Sequence, residues 1–379
     1  MTRKILILGS AHPYRGGIAA FNERLAGQFQ QEGHDVDLMT FTLQYPSFLF
    51  PGKTQYSTDP APVGLKIERR INAVSPLNWL KIGKVIRNRH YDVVIFAYWM
   101  SFFAPCYGTI ARRLKGVARI GLAHNMLPHE PSVIDRMFSP YFVRSMDGFV
   151  ALSKSVLNDI GRFEKQNKPK VFSPHPIYDH YGLRENRETA LDNLNLDKNY
   201  RYLLFFGLVR AYKGLDWLIE AFADERLRSY PVKLIVAGEF YDDKKPYLDR
   251  IASHQLSDTV MVYDEFIPDA KVKDFFNACD LVVQPYKTAT QSGVTQIAYH
   301  FEKPMLVTNV GGLDEIVPDG KVGYTVHPDV RSIADALVDF FGNQRQDDFK
   351  QGILSEKEKY SWSRMTAAIQ SLFNTENQR

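Results

Sequence analysis

Two loops of the sequence contain the residue types needed to bind phosphate groups. In the first, Gly16 and Gly17 let a ligand approach the backbone, and the predicted helix after them offers free N–H groups to an anion. The second loop begins at Gly207 and contains Arg210 and Lys213. Arginine presents a planar fork of donors and lysine a compact charge, so this pair suits a diphosphate. An ordinary tight turn and a solvated basic loop are the respective alternatives.

A third loop joins a helix-capping serine to a glycine. The first amides of the predicted helix can bind a phosphate, and Gly293 lets that phosphate come close. Ser292 is also a typical N-cap, and the two functions are compatible. The candidate residues of this loop are Gln291, Ser292, Gly293, Val294, Thr295 and Gln296.

A fourth loop places four polar residues after a predicted strand: His124, Asn125, His129 and Glu130. Histidine and glutamate side chains can exchange protons or hydrogen bonds with a ligand, which makes this loop a candidate for facing a binding cleft. Structural histidines, bonded within the fold, are the alternative.

Short buried runs alternate with helical spacing along the chain, which predicts two parallel sheets covered by helices on both faces. The polar, turn-rich residues 176–199 are the predicted linker between domains 1–175 and 200–360. The amphipathic tail, 361–379, is predicted to pack back on the first domain. Doubly wound folds bind ligands at the carboxyl ends of their strands, so the four loops are expected in a cleft between the domains. Strands are predicted at 5–8, 36–39, 93–97, 120–123, 148–151, 202–206, 234–237, 260–263, 281–284 and 305–308.

Composition restricts the class of protein. The chain has 379 residues and a net charge of +4, which is too weakly basic to indicate nucleic-acid binding. Cys106 and Cys279 form neither a metal-binding spacing nor a disulfide framework, which fits a reducing compartment. No apolar run reaches the roughly 20 residues of a membrane span. The sequence predicts a cytoplasmic protein with no metal and no cofactor, and leaves open a peripheral contact with the inner membrane surface.

Together, these loops resemble the family-4 glycosyltransferases of the GT-B fold, and the resemblance covers nearly the whole chain. It implies two Rossmann-like, doubly wound domains that face each other across a cleft. It also implies a nucleotide-diphosphate sugar as donor substrate and adds Glu315 to the donor-binding residues. The matching motifs are Gly16-Gly17-Ile18, Gly33-His34-Asp35-Val36, His175-Pro176, the stretch from Gly207 to Phe222, Lys303-Pro304 and Gly311-Gly312-Leu313-Asp314-Glu315.

The sequence departs from the family in two places. Most members have two glutamates separated by seven residues before Lys303-Pro304, and the second usually holds the donor ribose. The corresponding residues 289–297 contain no glutamate, so Gln296 is the predicted substitute. The arginine that usually follows the glycine directly is Leu208 here, and Arg210 comes two residues later. We interpret the chain as a variant branch of the family.

The resemblance implies transfer with retention of anomeric configuration to a glycan or lipid-linked acceptor, in cell-surface polysaccharide synthesis. Arg210, Lys213 and the amides of Gly293 and Val294 would stabilise the departing diphosphate, and His124 would contact the donor sugar. Asn125, His129 and Glu130 are assigned to the acceptor side. The alternatives are a nucleotide-sugar epimerase of related two-domain fold and a catalytically silent nucleotide-sugar-binding protein. Released nucleotide diphosphate would distinguish an active transferase from a silent binder.

A further segment, residues 41–56, combines aromatic side chains such as Phe48 and Phe50 with prolines and a glycine. Such a segment suits a lipid-linked acceptor or a membrane surface, with Arg112, Arg113 and Lys115 meeting anionic head groups. The alternative is a loop whose aromatic residues fold onto the first domain.

Overall fold

The computed structural model describes residues 2–46, 55–57, 60–127, 133–289 and 292–373, with the side chains of residues 133 and 134 left out. The chain divides into two compact units. The first comprises residues 1–175 and 362–379, and the second comprises residues 176–361. No helix in the described part of the chain is long and apolar enough to cross a bilayer.

In the described part of the first unit, parallel strands form a seven-stranded sheet in the order β3-β2-β1-β4-β5-β6-β7. The central strands β1 and β4 are almost entirely buried because helices cover both faces of the sheet. The strands are β1 (Lys4–Leu8), β2 (Asp35–Leu43), β3 (Lys66–Asn72), β4 (Val93–Tyr98), β5 (Ala118–Ala123), β6 (Gly148–Ala151) and β7 (Lys170–Phe172).

The helices of the first unit include the last helix of the chain that the structure describes. The last of them packs on the first, where the Trp362 and Phe21 rings lie 5.1 Å apart and the Thr366 hydroxyl donates to Glu32 at 2.6 Å. These helices are α1 (Gly17–Gln31), α2 (Pro76–Asn88), α3 (Ala104–Arg112), α4 (Val133–Val143), α5 (Lys154–Phe163) and α14 (Trp362–Ser371).

The described residues of the second unit form a six-stranded parallel sheet in the order β10-β9-β8-β11-β12-β13. Separate hydrophobic clusters cover its two faces. The strands are β8 (Arg201–Phe206), β9 (Val232–Ala237), β10 (Val260–Tyr263), β11 (Leu281–Gln284), β12 (Met305–Thr308) and β13 (Gly323–Val326). The helices are α6 (Arg187–Asn193), α7 (Leu215–Phe222), α8 (Lys245–Ser253), α9 (Asp269–Ala278), α10 (Gly293–His300), α11 (Leu313–Ile316), α12 (Val330–Gly342) and α13 (Gln346–Lys357).

The two doubly wound sheets predicted from the sequence are confirmed, and the structure differs from the prediction in its details. Residues 176–199 are not an irregular linker, because they contain α6 and bury Ala190 and Leu191 in the second unit. In each sheet the strand order reverses beside the first strand, between β1 and β4 and between β8 and β11. Such reversals open a crevice at the carboxyl ends of the strands, which is where open α/β sheets bind ligands.

Candidate functional site

The loop after β8 brings a glycine and a lysine together at the reversal point of the second sheet. Gly207 has a φ of 92°, and a Cβ on it would lie 3.2 Å from Lys213 Nζ and 4.0 Å from Val294 Cγ2. The ammonium group therefore lies against the bare backbone of Gly207. The start of α10, on the neighbouring loop, reaches the same place.

Lys213 is a buried cation whose charge has no partner of opposite sign in the described part of the chain. Its side chain is only 9% exposed. Burial, with a smaller contribution from the charge of Arg210, lowers the pKa of Lys213 to about 8. Its Nζ lies 5.8 Å from the centre of the Tyr286 ring, whose negative face attracts a cation. An anion bound here would remove the cost of keeping this charge out of water.

Arg210 supplies a second cation in the same turn as Lys213, whose backbone N–H donates to the Arg210 carbonyl at 2.9 Å. Its guanidinium lies 3.9 Å from the centre of the Tyr241 ring. This cation–π contact holds the guanidinium over the ring. The pair predicted from the sequence is therefore brought together at one strand end.

The loops after β8 and β11 are locked to each other around Gly214. This glycine has a φ of 71°, and a Cβ on it would lie 2.0 Å from the carbonyl oxygen of Pro285. The Lys287 backbone N–H donates to the Tyr212 carbonyl at 2.7 Å, and the Lys287 ammonium donates to Asp216 at 2.6 Å. The position of Lys213 between them is fixed by both loops.

Ser292 caps α10 and ties it to the end of β11. Its hydroxyl accepts the Val294 N–H at 3.3 Å and donates to the side-chain oxygen of Gln284. Because the serine proton is used in this way, the Tyr286 hydroxyl, 3.3 Å away, donates to Ser292. The Thr295 hydroxyl donates to the Ser292 carbonyl at 2.6 Å. Gly293 is exposed, and a Cβ on it would meet the ring of Tyr178 at 2.9 Å.

Two buried amides next to this cap have polar atoms with no hydrogen-bond partner among the described residues. Gln296 is 1% exposed and leaves both its side-chain nitrogen and its side-chain oxygen without a partner. Gln284 is equally buried and leaves its side-chain nitrogen without one. A buried polar group without a partner costs roughly 1–3 kcal/mol, so water or a ligand is expected to satisfy these groups.

The remaining donor-side candidates have simpler surroundings. Glu315 lies on α11, after β12, and is exposed. Gln291 lies outside the described residues. The Thr308 hydroxyl at the end of β12 donates to the Tyr286 carbonyl, which connects the loop after β12 to the same cluster.

In the first unit, Gly16 and Gly17 begin α1 as predicted. Gly16 is the N-cap with a φ of 112°, and a Cβ on it would meet nothing within 4 Å. Both glycines are exposed, so the amides at the start of α1 are accessible to a ligand.

His124 follows β5 and lies in an aromatic environment. The centre of its ring lies 4.7 Å from the centre of the Phe21 ring, and the centre of the His175 ring lies 4.9 Å from the centre of the same Phe21 ring. Burial, followed by the charge of His175, lowers the pKa of His124 to about 3. The ring is therefore neutral at pH 7, and its enclosed Nε2 has no hydrogen-bond partner in the described part of the chain. It can exchange a hydrogen bond with a sugar but does not carry a charge.

Asn125 is exposed beside His124, whereas His129 and Glu130 lie outside the described residues, as do Phe48 and Phe50. Phe41, at the start of the aromatic segment, is fully buried in β2. The described residues contain no group of three or more histidine, cysteine or acidic side chains positioned to hold a metal ion.

The sequence does not predict the residues that hold the candidate site residues in position. Gln284, Tyr286 and Tyr241 bond or stack with Ser292, Lys213 and Arg210. Their only sequence signal is position, because Gln284 and Tyr286 stand where β11 ends and Tyr241 follows β9 by a few residues.

Comparisons with known proteins agree with this architecture. Residues 200–343 match the family described as Glycosyl transferases group 1, and residues 15–177 match Glycosyltransferase Family 4. An uncharacterised glycosyltransferase of Methanocaldococcus jannaschii is 23% identical over 375 residues, which cover 98% of this chain and 97% of that protein. A D-inositol 3-phosphate glycosyltransferase of Streptomyces scabiei is 27% identical over 274 residues, 67% of this chain and 61% of that protein.

Among solved structures, Anabaena HepE in complex with UDP superposes with a TM-score of 0.73 at 13% identity, covering 99% of this chain and 100% of that one. The two family matches lie on the two units and together span most of the chain. The chain belongs to the family-4 glycosyltransferases of the GT-B fold.

Proposed function

We propose that this glycosyltransferase takes a sugar from a nucleotide-diphosphate donor and transfers it, with retention of configuration, to a glycan or lipid-linked acceptor in cell-surface polysaccharide synthesis. The observation that carries the proposal is the buried, unpaired Lys213 against Gly207, at the strand end that α10 also reaches. The complex of HepE with UDP supports a nucleotide diphosphate as the ligand of this fold.

The residues of the second unit would act on the leaving group. As the bond between the anomeric carbon and the diphosphate oxygen breaks, negative charge grows on that oxygen. Lys213 and Arg210 stabilise this charge, together with the first amides of α10. These charges are already held in position before the reaction begins. They therefore lower the free-energy barrier to breaking the bond without any rearrangement of the site.

The acceptor hydroxyl then attacks the anomeric carbon from the face that the diphosphate leaves. Its proton passes to the departing phosphate oxygen, which balances the reaction without a protein base. Neutral His124 suits a hydrogen bond to a sugar hydroxyl at this stage, and Asn125, His129 and Glu130 are assigned to the acceptor. The unpartnered amide of Gln296 suits the two hydroxyls of a ribose, because an amide both donates and accepts.

The reaction needs no metal ion and no cofactor, since protein cations neutralise the leaving group. The two cysteines are free and buried, which fits the cytoplasm, and a lipid-linked acceptor would bring the protein to the inner membrane surface.

The test is a thermal-shift screen with UDP, GDP, ADP and dTDP, because a ligand that binds only the native state raises the melting temperature. The same nucleotides attached to sugars are then assayed for released nucleotide diphosphate. Stabilisation with release supports the transferase. Stabilisation without release in the presence of a range of acceptors would indicate a silent binder, and an epimerised free nucleotide sugar would indicate the epimerase.

A further inference from the structure

Helix α2 has one face in the core of the first unit and one face in water. Ser75 caps it by accepting the Asn78 N–H, and Pro76 begins it. Its inner face buries Ile82, Gly83 and Ile86. The outer face exposes leucines in the first turns and basic residues further on: Leu77, Leu80, Lys81, Lys84 and Arg87.

The exposed leucines have no packing role that explains them. Leu77 is 80% exposed and Leu80 is 41% exposed, and Val74 just before the helix is 45% exposed. A single exposed apolar residue is ordinary, but three within seven residues at one helix start form a small apolar patch. An apolar patch of this kind is explained if it is buried in an apolar environment when the protein binds a partner.

Basic residues of α3 extend the same surface. Helices α2 and α3 touch at Gly83, where a Cβ would lie 2.7 Å from the Cβ of Arg113. The end of α3 with Arg112, Arg113 and Lys115 therefore lies next to α2. Of these cations, Lys81, Lys84, Arg87, Arg113 and Lys115 form no ion pair or side-chain hydrogen bond with any described residue.

The net charge of the segment that contains α2 and α3 is more positive than the net charge of the whole chain. Residues 76–117 contain seven basic residues and one acidic residue, Asp92, whereas the whole chain has a net charge of +4. The rest of the chain is therefore slightly acidic. The surface with unpaired cations is complementary to an anionic partner.

We propose that the α2–α3 face, which comprises Leu77, Leu80, Lys81, Lys84, Arg87 and Arg113, docks on an anionic phospholipid bilayer. The leucines enter the boundary between head groups and acyl chains while the cations contact the head groups. A nucleic acid would engage the cations and leave the leucines in water, so the combination favours a lipid surface. The inference rests on the proposed function only in that a lipid-linked acceptor requires such a surface.

The experiment is co-sedimentation of the full chain with phosphatidylcholine vesicles, with and without phosphatidylglycerol, in the absence of nucleotide. We expect binding only to the anionic vesicles and its loss at high salt. Each cation contributes roughly fivefold to partition onto an anionic membrane, so Lys81→Gln, Lys84→Gln, Arg87→Gln should weaken binding roughly a hundredfold. The double variant Leu77→Ser, Leu80→Ser should weaken binding several-fold without any change in charge.

Matched controls come from the second unit. Lys271→Gln, Arg331→Gln, Lys350→Gln removes the same charge from exposed sites, and Leu183→Ser, Leu354→Ser removes leucines that are 79% and 44% exposed. Both controls should bind as the wild type does. Equal binding to neutral and anionic vesicles, or equal loss in the controls, would overturn the proposal. The nucleotide-induced thermal shift of each variant checks folding and tests the proposed function separately.

Discussion

At the scale of single residues, the site is defined by a cation that is costly to keep where it is. Lys213 is buried beside Arg210, and its lowered pKa shows that both burial and the second charge oppose its ionisation. Protein interiors retain such a charge when a ligand compensates it. In the proposed reaction, a diphosphate would compensate this charge in the ground state and more strongly as negative charge develops on the leaving oxygen.

We expect Lys213→Ala to fold and to lose turnover. The substitution removes a positioned charge from the leaving group, and the loss of a comparable electrostatic stabiliser lowers kcat on the order of a hundredfold or more. The measurement is release of nucleotide diphosphate, with melting temperature as the check on folding. Lys245→Ala, at an exposed surface ion pair, is the control and should retain full activity. Wild-type turnover in folded Lys213→Ala would remove Lys213 from the mechanism.

The pKa of Lys213 also predicts a pH dependence of nucleotide binding. The charged lysine binds the diphosphate, so affinity for UDP should fall as the pH rises through about 8, by up to about tenfold per pH unit. Calorimetric titrations from about pH 7 to about pH 9.5 measure it. Lys213→Met should bind more weakly and show no such decline, whereas a decline of equal size in Lys213→Met would assign it to another group.

The free protein should show the opposite trend from the same residue. Between the folded-state pKa of Lys213, about 8, and the ordinary lysine pKa of 10.5, the unfolded chain binds the proton that the folded chain has released. Lys213 therefore contributes stability that increases as the pH rises through this window. Weaker ligand binding and greater stability of the free protein over the same window would identify one group as the origin of both.

The sequence predicted some of these residues and not others, for physical reasons. Arg210 and Lys213 are recognisable because a glycine, two cations and a helix start follow one another in the chain. The unpartnered amides of Gln284 and Gln296 are not, because a glutamine is more often exposed and its burial depends on packing between elements distant in sequence. The neutral state of His124 likewise depends on its enclosure against Phe21.

At the scale of elements, the site is held by the close approach of two loops. Gly214 touches the carbonyl of Pro285 and Gly207 touches Lys213, so glycines permit both contacts. The ion pair between Lys287 and Asp216 and the backbone bond from Lys287 to Tyr212 join the same loops. The position of the Lys213 ammonium group is therefore a property of the junction between β8 and β11.

Gly214→Ala should test this junction. An alanine would have to adopt a φ of 71° with its Cβ only 2.0 Å from the Pro285 oxygen, so the loops must separate. We expect a loss of at least about 1–3 kcal/mol of stability and a large fall in UDP affinity. Gly27→Ala, inside α1 with nothing within 4 Å of the new Cβ, is the control and should stabilise the protein by about 0.5–1 kcal/mol. Equal melting temperatures for Gly214→Ala and the wild type would show that the junction yields without cost.

The sequence predicts the alternation of buried strands and helices because a parallel strand that is covered on both faces consists of a continuous run of apolar residues. The strands that were missed, β3, β7 and β13, lie at the edges of their sheets. β3 contains Lys66, Glu68, Arg69 and Arg70 and exposes much of its length, so it lacks the apolar run. The sequence predicts a linker at residues 176–199 because their apolar residues are few, although Ala190 and Leu191 suffice to dock α6.

At the scale of the whole molecule, positive charge lies at two places for which we propose different anionic partners. Lys213 and Arg210 in the second unit are available for a diphosphate, whereas the α2–α3 face of the first unit carries the unpaired cations suited to a lipid surface. A net charge of +4 conceals this arrangement, because acidic residues elsewhere balance most of the basic ones. The net charge alone therefore gives no indication of nucleic-acid binding, and it does not reveal where either anion would bind.

The charges of the second unit lead to a prediction about metal ions. In the proposed reaction the charge of a leaving diphosphate has to be neutralised, and we expect Lys213 and Arg210 to supply the protein charges that do so. Asp35 and Asp37 have the sequence spacing of a metal-binding pair of carboxylates. We interpret this pair as structural, because Asp37 is buried, lies 2.9 Å from the Lys66 ammonium and accepts a hydrogen bond from the Tyr91 hydroxyl. We expect release of nucleotide diphosphate to be unchanged in excess EDTA.

The decisive comparison is between wild type and Lys213→Ala, each assayed with EDTA, magnesium and manganese. If protein cations neutralise the leaving group, the wild type is indifferent to all three conditions and the variant is equally slow in each. A divalent ion that carried this charge would instead make the wild type lose turnover in EDTA and regain it with manganese. Rescue of Lys213→Ala by magnesium alone would show that the site accepts a metal only when its own cation is missing, which would leave the metal-free mechanism of the intact enzyme in place.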